Sequence, residues 1–201
     1  MNAKAQHPLV REILSFWFGD DPARPLADTQ RWFRPDDAFD RQVAAQFGSH
    51  VEAAANGAFA DWSGAPRPVL ALIILSDQFP RNIYRGSPRA FALDATALRA
   101  SLQGQEQGYD GALTPMERWF FCMPMMHSED LEVQRRSLAA FRRLADNAPQ
   151  ELRETIREHL KYAVGHHDVI ARFGRFPHRN EVLGRVSTEE ELAWLEADGR
   201  Y

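Results

Sequence analysis

Apolar side chains recur every third or fourth position along most of the chain, and no two segments alternate in the way a β-hairpin requires. Leu9, Val10, Ile13, Leu14 and Trp17 share one helical face, and Phe39, Val43, Phe47, Val51 and Ala54 share another. A strand needs a period of two, so this pattern predicts an all-α fold.

Punctuating residues divide the pattern. Asp20-Asp21-Pro22 ends the first segment; Trp32 and Phe33 precede a second start at Pro35-Asp36, which runs to Gly57. A third helix is expected to begin at Pro66 to Pro68, because proline suits a first turn, and to stop at Pro80. Ser87-Pro88 reads as a cap and first turn of a helix reaching Gly104. Thr114-Pro115-Met116-Glu117 matches a capping box, and Pro124 limits the helix it opens. Ser128 is expected to cap the next helix, to Asn147, with Glu129 and Asp130 in its first turn. Pro149 opens a long helix ended by Gly174. Ser187-Thr188-Glu189-Glu190 reads as a second capping box, and Gly199 closes the last helix. The sum is about eight helices with short connections, for which antiparallel helix pairs in a single domain spanning 1–201 are expected. No 34-residue repeat of tetratricopeptide type recurs; the one echo, Phe79-Pro80-Arg81-Asn82 with Phe176-Pro177-His178-Arg179-Asn180, is 97 residues apart.

Composition excludes several classes. The 44% apolar and 26% charged content is that of a globular protein. A net charge of −4 offers no bulk field for nucleic acid. The longest apolar run, Val69 to Leu75, is seven residues, too short to cross a membrane, and Met1 to Pro8 lacks the apolar core of a signal peptide. A soluble, cytoplasmic protein is expected. The single cysteine, Cys122, precludes an internal disulfide or a multi-cysteine zinc site. The basic residues are 22 arginines and two lysines, Lys4 and Lys161, a bias that fits a GC-rich genome, so only local arginine placement is informative.

Three stretches join helix ends to dense polar and aromatic residues: Ser76 to Arg85, Met126 to Asp130, and His166 to Asn180. Asp77 falls in the last turn of an apolar helix, an unfavourable place for a carboxylate unless a cation compensates. It reads either as functional or as half of a buried salt bridge with Arg81 or Arg179. Cys122, Met123, Met125 and Met126 beside His127 read as core filler rather than a soft-metal site. On the long helix Leu152, Ile156, Ala163 and Ile170 form a stripe, with His159 and His166 on one side of it and His167 on the other. Asp168 and Arg172 point away with the spacing of a solvated i,i+4 pair. Arg172, Arg175, Arg179 and Arg185 have only Glu181 as an acid between them, making either an anion-binding surface or a solvated basic face.

The motifs Asp77-Gln78-Phe79-Pro80-Arg81-Asn82, Met126-His127-Ser128-Glu129 and Arg172-Phe173-Gly174-Arg175-Phe176-Pro177-His178-Arg179-Asn180 resemble a bacterial family known as domain of unknown function 924. Phe16-Trp17-Phe18 and Arg118-Trp119-Phe120-Phe121 resemble it too, and the likeness extends from about Val10 to Leu195. The resemblance implies a tetratricopeptide-like right-handed superhelix and no particular activity. His167 stands where that family usually has arginine, which favours His166 and Asp168 over His167 as ligands.

No dinucleotide fingerprint, P-loop, nucleophile elbow or H-E-x-x-H motif is present, and no cofactor or metal is expected. The reading that follows is a binding module. Asp77, Gln78, Arg81, Asn82, His127, Glu129, His166, His178, Arg179 and Asn180 would line a polar groove for a small anionic ligand or a peptide end. The alternative is a small-molecule hydrolase or other acid–base enzyme, metal-dependent if His167-Asp168 acts with His127 and Asp77. A single enclosed pocket would favour the enzyme and an open groove the binding module.

Overall fold

The computed structural model describes residues 7–20, 32 and 34–197. The stop at Asp21-Pro22, Phe33 and the closing Gly199 lie outside the described residues. The chain divides into two compact units, residues 1–85 with 89–121 and residues 86–88 with 122–201. Among the described residues there are helices and turns but no strand, as the apolar period requires.

The first unit contains α1 (Pro8–Phe18), α2 (Asp37–Ala55), α3 (Pro66–Ile73), α4 (Phe79–Ile83), α5 (Asp94–Glu106) and the start of α6 (Pro115–Met126). A π-helical turn, Ile74–Gln78, joins α3 to α4, so these pieces form one rod and the described residues hold eight helices. The sequence puts a stop at Pro80, yet the rod continues to Ile83. Proline inside an α-helix loses a donor, and its ring meets the carbonyl four residues back. The wider π turn avoids both: Phe79 N–H reaches Ile74 O, and Pro80 enters in the first turn of α4, where no donor is needed.

Aromatic rings fill this unit's core. Phe79 stacks on Phe47 with centroids 4.7 Å apart, Trp17 meets Phe79 and Phe120 edge-on at 5.7 and 5.5 Å, and Trp32 meets Phe120 at 4.7 Å. The indole N–H of Trp32 donates to Trp17 O at 3.2 Å. Packing is tight where α5 passes α6: a Cβ on Gly104 would lie 2.5 Å from Phe121 Cζ. Phe121 is fully buried and has no room to yield. Gly104→Ala is therefore expected to destabilise despite the helix propensity of alanine, overpacking of about 1–3 kcal/mol exceeding a gain of about 1 kcal/mol. A thermal midpoint unchanged or raised in this variant would refute that tightness.

The capping box of α6 is present: Thr114 N–H donates to Glu117 Oε2 at 2.9 Å and Glu117 N–H to Thr114 Oγ1 at 3.3 Å. Pro124 lies inside α6, which ends two residues later. Ser87-Pro88 does not start α5; Pro88–Phe91 is a single 3-10 turn and α5 begins at Asp94.

In the second unit α7 (Leu131–Asp146) and α8 (Arg153–Phe173) form a helical hairpin joined by residues 147–152, followed by a 3-10 turn (Pro177–Arg179) and α9 (Glu189–Glu196). Gly174 ends α8 at φ 69°, a left-handed conformation that favours glycine. Its predicted stripe is buried at Ile156, Ala163 and Ile170. Val169, Ile170 and Phe176 form a small core against Leu131, Phe173 and Trp194.

Two caps sit elsewhere than the sequence suggests. Asp130, not Ser128, caps α7, accepting from Glu132 N–H and Val133 N–H. Ser128 Oγ instead accepts from Asp130 N–H at 3.2 Å and shapes the preceding turn. The second capping box is shifted by one: Thr188 is the cap and Glu191 its acidic partner. A string of three glutamates satisfies the motif in two registers, and packing chooses between them. None of the described helices is long and apolar enough to cross a membrane.

Candidate functional site

The first polar stretch lies in the first unit and is built into the rod. Asp77 and Gln78 belong to the π turn and are buried, Asp77 completely. Arg81 Nη1 lies 3.3 Å from Asp77 Oδ1 and donates to Asp77 O at 2.7 Å. The same guanidinium forms a fork with Asp94 at 2.8 and 3.0 Å. Asn82 Nδ2 donates to Asp40 Oδ1 at 2.7 Å. Arg81 thus compensates the buried Asp77 carboxylate, which lies inside the continuous rod and not in the last helical turn that the sequence suggests.

The second and third stretches meet within the second unit. The α6–α7 turn is pinned by Gln134, whose side-chain amide donates to Met126 O and Ser128 O at 2.7 and 2.6 Å. Glu129 reaches across 47 residues of sequence to accept from Phe176 N–H at 2.8 Å. It also takes the Arg185 guanidinium at 2.8 and 3.0 Å, and its carboxyl is held below the usual carboxylate range, these bonds overcoming partial burial. Phe176 is the hub: His166 meets it edge-on at 5.4 Å, His178 lies at 5.5 Å, and the Arg179 guanidinium sits 4.5 Å from the ring centroid. His127 completes the group 6.3 Å from His166. Asn180, fully buried, donates to Ser187 Oγ and Glu191 Oε2.

His166 Nδ1 lies 2.7 Å from Tyr162 O. A carbonyl only accepts, so Nδ1 carries the proton and Nε2 is the basic nitrogen. Burial, reinforced by the charges of His127, His178 and Arg179, pushes His166 down to about 3. His178 keeps an exposed face and is lowered by partial withdrawal from water and by Arg179. His159, on the same helix, is lowered to about 4 by burial.

These imidazoles link stability to pH. The folded chain keeps them neutral, while the unfolded chain protonates them near pH 6.5. Their stabilising contribution is complete above pH 6.5 and is lost as the pH falls toward the folded values. The thermal midpoint is expected to drop between about pH 7 and pH 5, with His166 contributing up to ~1 kcal/mol per pH unit. His166→Asn, which keeps a donor near Tyr162 O, is expected to flatten that slope. An equal slope in wild type and variant would show that His166 does not carry it.

The basic run between Arg172 and Arg185 is neutralised by acids distant in sequence. Arg172 pairs with Glu190, Arg175 with Glu191 and Arg185 with Glu129. This replaces the expected Asp168–Arg172 pair: Asp168 bonds His167 Nδ1 at 2.9 Å instead. Cys122, Met123, Met125 and Met126 are buried as expected of core residues. Among the described residues no three His, Cys, Asp or Glu side chains are grouped to hold a metal ion. Sequence reading missed Phe176 as the hub and Glu191 as a buried anchor. The only sequence sign of Glu191 was its position three residues after Thr188.

These features define a class: an all-α protein in which a histidine–arginine cluster is assembled around a buried phenylalanine at the ends of a helical hairpin. The chain belongs to a family of bacterial proteins of unknown function, DUF924, whose profile matches residues 13–199. It is similar to the solved structure of a protein of unknown function from Agrobacterium tumefaciens. The two share 34% identity and a TM-score of 0.81, over 94% of this chain and 97% of that one. No curated protein matches the chain.

Proposed function

We propose that this protein is a binding module that captures a small anion, or the carboxylate end of a peptide, at the His127–His166–His178–Arg179 cluster. The supporting observation is the gathering of two imidazoles and a guanidinium about one aromatic ring, with His127 beside His166, where burial and then cationic neighbours hold His166 neutral. An anion among these groups reverses that repulsion, so binding and proton uptake reinforce each other. Phosphate and carboxylate both suit a guanidinium fork beside imidazole donors. Acid–base catalysis is the weaker reading, because a histidine pushed to about 3 is a poor general base near neutrality.

Calorimetric titration with inorganic phosphate, acetate, and one peptide with a free or amidated C-terminus tests the proposal at about pH 6 and about pH 7.5. Saturable binding that tightens at the lower pH is expected, weakened about tenfold or more in Arg179→Ala with the fold retained. A preference for the free over the amidated peptide would identify a peptide end. The rival is a closed ion network. It predicts no binding by any probe and a stability loss of several kcal/mol in Arg179→Ala.

A further inference from the structure

A second feature lies in the first unit and is lined by none of the residues of the three polar stretches. A cavity of about 470 Å³ opens between the C-terminal end of α2, the turn after it, α3 and α5. That is the size range of small-molecule sites. Val69 and Leu72 of α3 supply an apolar wall. The side contributed by α5 is mixed: Thr96, Arg99, Ala100 and Gln103 all line the cavity, at the i, i+3, i+4, i+7 spacing of one helical face. The core-facing positions of α5 are Ala97, Ser101 and Gly104, and this neighbouring face borders the cavity at its solvent edge, with Arg99 and Gln103 exposed. Here the side chains are small or polar, leaving both space and hydrogen-bonding capacity.

Arg99 is the charged member of that face. Its polar contact is with Thr96 Oγ1 at 3.4 Å, one turn back on the same helix, and among the described residues no carboxylate pairs with it. Arg99 is an exposed guanidinium at the edge of this apolar-walled space. A guanidinium fork matches one carboxylate in charge and geometry. Thr96 and Gln103 add neutral groups on the same face.

We propose that this cavity binds a small amphiphile with a single carboxylate, its apolar body against Val69, Leu72 and Ala100 and its carboxylate on Arg99. One cation balances one negative charge, which favours a monocarboxylate over a phosphate monoester. The ring pair Phe59–Trp62, with centroids 4.5 Å apart, ties the lining residue Phe59 to a tryptophan. Occupation of the cavity should therefore perturb Trp62 fluorescence.

The test is calorimetric titration of the full chain with decanoate, with acetate and decanol as the head-only and body-only comparisons. Saturable one-to-one decanoate binding is expected, with both comparisons much weaker. Arg99→Gln should weaken decanoate about tenfold or more. Ala100→Leu, which fills the cavity, should abolish binding and the accompanying fluorescence change. Arg99 is exposed, so its substitution leaves the fold intact and decides the matter should Ala100→Leu not fold. The inference is overturned if decanoate fails to saturate, if Arg99→Gln binds it as wild type does, or if the binding is lost in Arg179→Ala instead. That last result would assign decanoate to the histidine–arginine cluster of the other unit.

Discussion

Replacing Phe79 by alanine is expected to destabilise the protein by about 3–5 kcal/mol, near the upper end for a single substitution. Phe79 is fully buried and meets Phe47, Trp17 and Phe16, so its removal leaves a hole bounded by rings on two other helices. Rigid aromatic neighbours collapse poorly into such a space, and the cavity cost adds to the lost burial. Phe79 also joins the π turn to α4 and lies two residues from Asp77. Urea denaturation followed by near-ultraviolet circular dichroism measures the effect directly, because the rings around Phe79 include tryptophans. A midpoint within experimental error of wild type would mean that these rings do not hold the first unit together.

The second large effect is expected at Glu191. Its side chain is 3% exposed and accepts four hydrogen bonds: from Arg175 Nε and Nη2 at 2.6 and 2.7 Å, Thr188 N–H at 2.8 Å, and Asn180 Nδ2 at 3.2 Å. The bonds from Arg175 and the cap lower its carboxyl to about 2. The stabilisation is thus present above pH 4.5, the ordinary value, and is lost as the pH falls through about 2. Glu191→Ala removes the capping acid of α9 and the partner of Arg175 together. Breaking a buried pair costs about 3–5 kcal/mol, but Arg175 is 29% exposed and regains water, so about 2–3 kcal/mol is expected. Glu191→Gln keeps an acceptor for Thr188 N–H and should cost less. Thermal melts of the two variants, with hydrogen exchange at Thr188, check the order. Equal costs would mean that charge contributes nothing at this position.

By itself the sequence determined what is local. The 3.6-residue period made the fold all-α, and it identified the buried stripe of α8. Thr114 with Glu117 and Gly174 marked helix ends correctly, because a capping bond or a left-handed φ depends on only a few neighbouring residues. Asp77 was legible as half of a salt bridge because Arg81 follows it by four residues, although the helix end that suggested the need for a cation is a π turn inside the rod. The tertiary structure decided everything that depends on which helices meet. Nothing near Pro80 in sequence announces a π turn; the surrounding aromatic core keeps the rod continuous through it. The basic run from Arg172 to Arg185 looked like an open cationic face because its acids are remote. Glu129 precedes Arg185 by 56 residues, and Glu191 follows Arg175 by 16. Likewise the cluster around Phe176 draws His127 from the end of α6 and His166 from α8, a proximity that exists only after the hairpin closes. Short-range rules count donors, charges and periods along the chain. Long-range pairing is set by packing, which arranges buried side chains to fill space and satisfy each other's polar groups at once.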